Sequence, residues 1–168
     1  MGYVHDTSLC RIITPKDMFY SAGTWTDTVA SNIWYAARTA ADAAFTIQIP
    51  ILPLQSSTAL HGCYLQSLDI WWAVATAAMD SVAATLYKLT LAADTVAITT
   101  TAVVFSYDTG HDSAAERLTL AAHKMTLTIT TPEWMDNDYM YYSELVCDAA
   151  ATSVFRMYAA RANFTLRI

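Results

Sequence analysis

Residues 139–168 read YMYYSELVCDAAATSVFRMYAARANFTLRI, and this stretch decides the fold class. Two runs rich in β-branched and aromatic residues flank Asp148-Ala149-Ala150-Ala151-Thr152-Ser153, a cluster of small residues. Apolar residues recur at alternate positions, the period of a strand with unlike faces rather than that of a helix. Tyr139, Tyr141, Leu145 and Cys147 share one face of the first run. Val154, Tyr158, Phe164, Leu166 and Ile168 share one face of the second, interrupted by Arg156, Ala160 and Ala162. The opposite face, from Phe155 and Met157 through Arg161 to Thr165 and Arg167, grades from apolar to polar. The stretch reads as one long β-hairpin whose end is tied into a sheet. Small residues at Ala160 and Ala162 leave room for another sheet, or another subunit, to approach.

The same period recurs upstream. Met125, Leu127 and Ile129 alternate with Thr126, Thr128 and Thr130, and Phe45, Ile47, Ile49 and Ile51 alternate with Thr46 and Gln48 until Pro50 and Pro53 end pairing. Leu68, Ile70, Trp72 and Val74 alternate with Asp69, Trp71, Ala73 and Ala75. Residues 70–92 hold enough Ala and Leu for a helix to be drawn through them. Their Val, Thr and aromatic content, with Asp80-Ser81 in the middle, favours a second hairpin built like the last. One more strand is expected over residues 100–107, centred on Val104 and Phe105. Asp108-Thr109-Gly110-His111-Asp112 then turns into a loop reaching Arg117, and Asp136-Asn137-Asp138 turns into the final hairpin.

About eight or nine strands, with turn signals every dozen or so residues and no helix, place the chain in the all-β class. The expected architecture is a single-domain two-sheet sandwich, jelly-roll-like, over residues 44–168. An immunoglobulin-like sandwich is the alternative, and its Cys–Trp–Cys spacing is missing. Residues 1–43 hold no period for long and read as an extended N-terminal arm with short strands near Met18–Ser21 and Ile33–Ala37. Such an arm lies either on its own domain or on a neighbouring subunit.

Composition narrows the function. Hydrophobic residues make up 55% of the 168 and charged residues 14%, against roughly 25% charged in ordinary soluble domains. So few charges imply either a surface wetted by Thr and Ser or one buried against partners. A net charge of −6 with scattered cations gives nucleic acid no electrostatic footing. Three distant cysteines, Cys10, Cys63 and Cys147, fit folding in a reducing compartment, each as a small buried apolar residue. The apolar run at residues 70–79 is about half the ~20 residues that span a bilayer, so no membrane insertion is expected.

Chemistry is sparse. His5, His61, His111 and His123 show no metal-ligand spacing. Asp108, His111 and Asp112, or the Asp136-Asn137-Asp138 cluster, offer oxygens and an imidazole to a cation; the other reading is loops held by their own hydrogen bonds. Glu144 is expected to pair with Arg156 across the hairpin. Neither a nucleophile motif nor a Gly-rich phosphate loop is present, so no enzyme is expected. The candidate functional residues are aromatic: Phe19, Tyr20, Trp25, Trp34 and Tyr35 in the arm, and Trp71-Trp72, whose rings must point to opposite faces of a strand. The outward ring is covered by the arm, anchors a subunit interface, or offers a platform to a sugar.

The phrases Asp148-Ala-Ala-Ala-Thr-Ser-Val and Tyr158-Ala-Ala-Arg-Ala-Asn-Phe-Thr-Leu are similar to phage-encoded sequences. Together with the single sandwich, low charge, Thr-covered strands and long arm, they make the chain from about residue 44 resemble bacteriophage virion proteins of the capsid cement (decoration) type. The resemblance implies a structural protein that binds and stabilises an assembled shell as a homo-oligomer, a homotrimer, without cofactors. Its partners would be itself and the major capsid protein, and its location the virion, assembled in the host cytoplasm. The alternative is a tail-fibre or spike head domain that binds host glycans, marked by aromatic rings clustered in a shallow groove.

Overall fold

The computed structural model describes residues 6–52, 63–91, 98–135 and 139–167, and these build two antiparallel sheets packed face to face. Sheet A takes β1 (Asp6–Ile13), β3 (Trp25–Ala30), β4 (Ile33–Arg38), β6 (Cys63–Ala75), β9 (Phe105–Tyr107), β10 (Ala122–Met135) and β12 (Val154–Arg167). Sheet B takes β2 (Phe19–Tyr20), β5 (Ala43–Ile51), β7 (Met79–Leu91), β8 (Ile98–Ala102) and β11 (Tyr139–Ala149). The long strands run β1-β12-β6-β10 in sheet A and β5-β11-β7-β8 in sheet B, so most successive strands sit in opposite sheets. That wrapping is the jelly roll the turn spacing led one to expect.

Alternation on the strands has the expected cause. Phe45, Ile47, Ile49 and Ile51 point inward from β5, and Met125, Leu127 and Ile129 from β10, with Thr and Gln between them facing out. Leu68, Ile70, Trp72 and Val74 of β6 meet Val82, Ala84 and Leu86 of β7 in one core. Residues 70–75 and 79–91 are therefore strand, and the helix that their Ala and Leu allowed is not formed.

Neither of the two long hairpins is a hairpin. β11 pairs with β5 and β7, whereas β12 pairs with β6, β1 and β4, so the two runs of residues 139–168 face each other across the core. β6 and β7 are likewise split between the sheets. An alternating pattern is the same whether two strands lie side by side or face to face, so the pattern cannot separate a hairpin from an arch. The turn between β11 and β12 does separate them, although the β6–β7 arch has a positive φ at Thr76. A tight hairpin needs positive φ at its central residues, which Ser31 (52°) and Asn32 (64°) supply between the paired strands β3 and β4. Among the described residues no positive φ falls at 150–153.

The face assignment on β12 also changes midway. The register with β6 shifts between Met157 and Ala159, a bulge that inserts one residue and reverses which parity faces the core. Phe155 and Met157 are therefore buried, as are Ala160, Ala162, Phe164 and Leu166, while Val154, Arg156 and Tyr158 face outward. Ala160 and Ala162 line the chain's own core. Arg156 lies 5.3 Å over the Tyr35 ring in sheet A, and Glu144 in sheet B accepts from Gln48 Nε2 at 3.0 Å, so the expected Glu144–Arg156 pair does not form.

The strand expected over 100–107 is two: β8 in sheet B and β9 in sheet A, with the chain crossing between them at Val103 (buried) and Val104 (71% exposed). The loop that follows holds one helical turn, α1 (Ala114–Arg117), closed by a capping box between Ser113 and Glu116. The N-terminal segment lies on its own domain: β1 runs along β12, β2 along β5, and the β3–β4 hairpin extends sheet A. The short strands near residues 18–21 and 33–37 are present. β1 and β3 are not foreseen because only Ile13 among their residues is buried, so burial imposes no period on them.

Candidate functional site

The candidate site is a groove of about 400 Å³ on the outer face of sheet B. Its lining includes Phe19, Gln48, Pro50, Leu52, Leu89, Met140 and Tyr142, with Asp17 at one side. Register explains their convergence. Phe19 sits opposite Gln48, Gln48 opposite Glu144, and in the next row Pro50 stands opposite Tyr142 and Tyr142 opposite Tyr87. β2 is only two residues long, so among the described residues β5 runs past it without a partner on that side, and Pro50, which has no N–H to donate, continues the strand there. Pairing therefore continues through Pro50 to Ile51, beyond the stop its proline suggested. The end of the short strand forms a step, with Phe19 as its wall.

The outward positions here are unusually apolar. Phe19 is 64% exposed, Met140 46% and Leu52 42%. Tyr87 and Tyr142 stack with centroids 5.2 Å apart. Burial of the Tyr142 phenol, with the charge of Glu144 beside it, raises its pKa, so the hydroxyl remains both donor and acceptor. Gln48 and Glu144 hold each other through their 3.0 Å hydrogen bond. The groove thus offers ring faces beside planar polar groups of fixed orientation.

Of the aromatic residues singled out in the sequence, only Phe19 reaches the groove. Tyr20 and Trp25 turn inward, their rings 4.2 Å apart; Tyr20 Oη donates to the Pro15 carbonyl and Trp25 Nε1 to that of Ala22. Trp34 is half-buried beneath Lys16, and Tyr35 is buried edge-on to Tyr158. The two rings of Trp71-Trp72 do point oppositely: Trp72 is wholly buried and Trp71 lies half-exposed on the outer face of sheet A. Tyr142, Met140, Pro50 and Leu52 escaped the sequence reading. Their signal is that the outward positions of β5 and β11 are themselves apolar.

The expected cation loops resolve differently. Asp108 Oδ1 meets His111 Nδ1 at 2.7 Å and accepts from the Gly110 N–H, while its Oδ2 accepts from the Thr126 N–H at 2.6 Å. Those bonds occupy both carboxylate oxygens, so this is a loop that holds itself. His111 Nε2 reaches His123 Nδ1 at 3.3 Å, and His123 Nε2 reaches the Thr119 carbonyl at 3.0 Å, its ring stacked 4.8 Å from Trp72. Arg117, also buried, donates to the carbonyls of Val82, His111 and Asp112. Among the described residues no group of three or more His, Cys, Asp or Glu side chains gathers as a metal site. His5, His61 and Asp136-Asn137-Asp138 lie outside the described residues. Cys63 and Cys147 are buried, as small apolar residues are, but Cys10 is exposed on β1. No helix of the described residues is long and apolar enough to cross a membrane.

No family model matches this chain, and no curated protein matches it in sequence. Solved structures similar to it include the Agl-KA catalytic domain, at 11% identity and a TM-score of 0.44 over 91% of this chain; the chain spans 27% of that domain. Another is TmCBM61 in complex with β-1,4-galactotriose, at 10% identity and a TM-score of 0.38, covering 95% of this chain and 88% of the other. Likenesses this distant carry no argument about function, which rests on the groove itself.

Proposed function

We propose that this chain is a carbohydrate-binding module that lays a neutral sugar chain along the groove of sheet B, binding without catalysis. The observation that carries the reading is the Phe19 ring, 64% exposed on a two-residue strand, facing a groove that also holds Tyr142 and Gln48. Sugar rings present C–H faces that pack on aromatic rings, and hydroxyls that pair with amides, carboxylates and phenols. Both kinds of partner are in place here. The tail-fibre or spike head, the alternative to the cement protein expected from the sequence, is a setting that suits such a module.

The test is titration with a panel of neutral oligosaccharides followed by calorimetry. Binding is expected, and Phe19→Ala should weaken it by about 0.5–1.5 kcal/mol, a two- to tenfold loss. No binding by any member, or binding indifferent to both Phe19→Ala and Tyr142→Ala, overturns the reading.

A second reading, the homotrimeric cement protein on a capsid shell, draws support from other residues. Leu9, Ile12, Val29 and Ile33, on β1 and the β3–β4 hairpin, are exposed by 44–70%. Apolar residues so placed suit contact with a second subunit or a shell. Sedimentation of the dilute protein separates the two: a trimer supports assembly, whereas a monomer removes the homotrimer.

A further inference from the structure

The outer face of sheet A, opposite the groove, carries a different chemistry. β10, β6 and β12 lie side by side there, and register places Lys124 across from Trp71, Arg161 across from Asp69 and Arg156 across from Ala73. The Lys124 ammonium lies 5.7 Å and the Arg161 guanidinium 5.4 Å from the centre of the Trp71 ring, within cation–π range. Asp69, almost wholly buried among them, accepts from Arg161 Nε (3.0 Å) and Nη2 (2.6 Å), from Asn163 Nδ2 (3.2 Å) and from Thr126 Oγ1 (2.7 Å). Burial alone would raise the pKa of Asp69, but these hydrogen bonds outweigh it and hold the carboxyl ionised. Arg161 neutralises that charge and is locked in place by it.

Lys124 and Arg156 are held less tightly: the Lys124 charge helps to lower the Asp69 pKa without an ion-pair contact, and the Arg156 guanidinium lies over the Tyr35 ring. Among the described residues neither joins an ion pair, whereas Lys16 pairs with Asp27, Lys88 with Glu133, and Arg38 and Arg117 are buried. Beside Trp71 the sheet carries the small Ala73 and Ala159, with the outward Tyr158 ring, packed on Tyr35, between them and Arg156. On a protein of net charge −6, this is a face that attracts rather than repels an anion.

We propose that the outer face of sheet A is a second binding site, taking a carboxylated sugar ring. The ring packs on Trp71, and the carboxylate pairs with the Lys124 ammonium in the field of Arg156. Arg161, held by Asp69, positions the indole. The site shares no residue with the groove, so either can fail alone.

The test follows the Trp71 indole N–H by NMR in tryptophan-labelled protein, with D-glucuronate, D-glucose and acetate as separate probes. Glucuronate is expected to give a saturable shift at millimolar concentration, and glucose and acetate to bind at least about fivefold more weakly, since each lacks one of the two contacts. Lys124→Gln should weaken glucuronate about fivefold and leave glucose unchanged, with Arg156→Gln acting in the same direction. Added salt should weaken glucuronate and acetate and leave glucose unchanged. Equal affinities for glucuronate and glucose, equal affinities for glucuronate and acetate, or a Lys124→Gln variant that binds glucuronate as well as the parent would each overturn the proposal.

Discussion

The run Asp108–His111–His123–Thr119 shows how one residue can set a pH response. The Thr119 carbonyl can only accept, so His123 must protonate Nε2 to bond it, which leaves His123 Nδ1 bare while that ring is neutral. His111 stands between two acceptors, that bare nitrogen at its Nε2 and the Asp108 carboxylate at its Nδ1, and donates to both only when each of its nitrogens carries a proton. The run requires His123 neutral, and burial first, then the neighbouring His111, lowers its pKa from 6.5. A histidine held neutral in the fold binds fewer protons than the unfolded chain does. Its stabilisation is whole above about 6.5 and is lost as pH falls from there toward the lowered value. The hydrogen bonds to Asp108 outweigh its burial and lower its pKa also, so its share is lost further down, below the usual carboxylate value of 3.8. The thermal midpoint, followed by circular dichroism, should therefore decline from neutral pH toward acid in two stages. His123→Gln should lower stability by about 1–3 kcal/mol at neutral pH and abolish the upper stage. An unchanged upper stage in that variant would assign the titration elsewhere.

The bulge in β12 explains why half of that strand was legible and half was not. From Ala160 onward the alternation in the sequence is the alternation in the fold, as it is throughout β5 and β10. Before the bulge, Phe155 and Met157 have the parity of the outward residues beyond it, and an inserted residue leaves no mark in composition. Arches hide for a similar reason, because facing and pairing strands share one period. The groove was least legible of all: Phe19 meets Gln48 and Pro50 meets Tyr142 through pairings of residues far apart in sequence. The arches themselves are coupled. Ser153 Oγ, fully buried, donates to the Ala78 carbonyl at 2.7 Å, tying the corner between β11 and β12 to that between β6 and β7. Ser153→Ala strands a buried acceptor and should cost about 1–3 kcal/mol. Urea denaturation should show a lower midpoint with an unchanged slope, since the surface exposed on unfolding is the same.

At the scale of the molecule, the scarcity of charge was visible in composition, but its distribution was not. Sheet assignment puts the apolar groove on sheet B and gathers Lys124, Arg156 and Arg161 on sheet A, a distribution no count of residues contains. The same interleaving sets an order of events in time. β12 lies between β6 on one side and β1 and β4 on the other, so the early strands of sheet A cannot be joined until the last described strand has been made. During synthesis one edge of β6 waits without its neighbour, which leaves the emerging chain prone to aggregate if stalled. Refolding of the whole chain should be slow for its size, in milliseconds to seconds, as the cost of closing distant pairings demands. A chain stopped before Val154 should not accumulate in folded form.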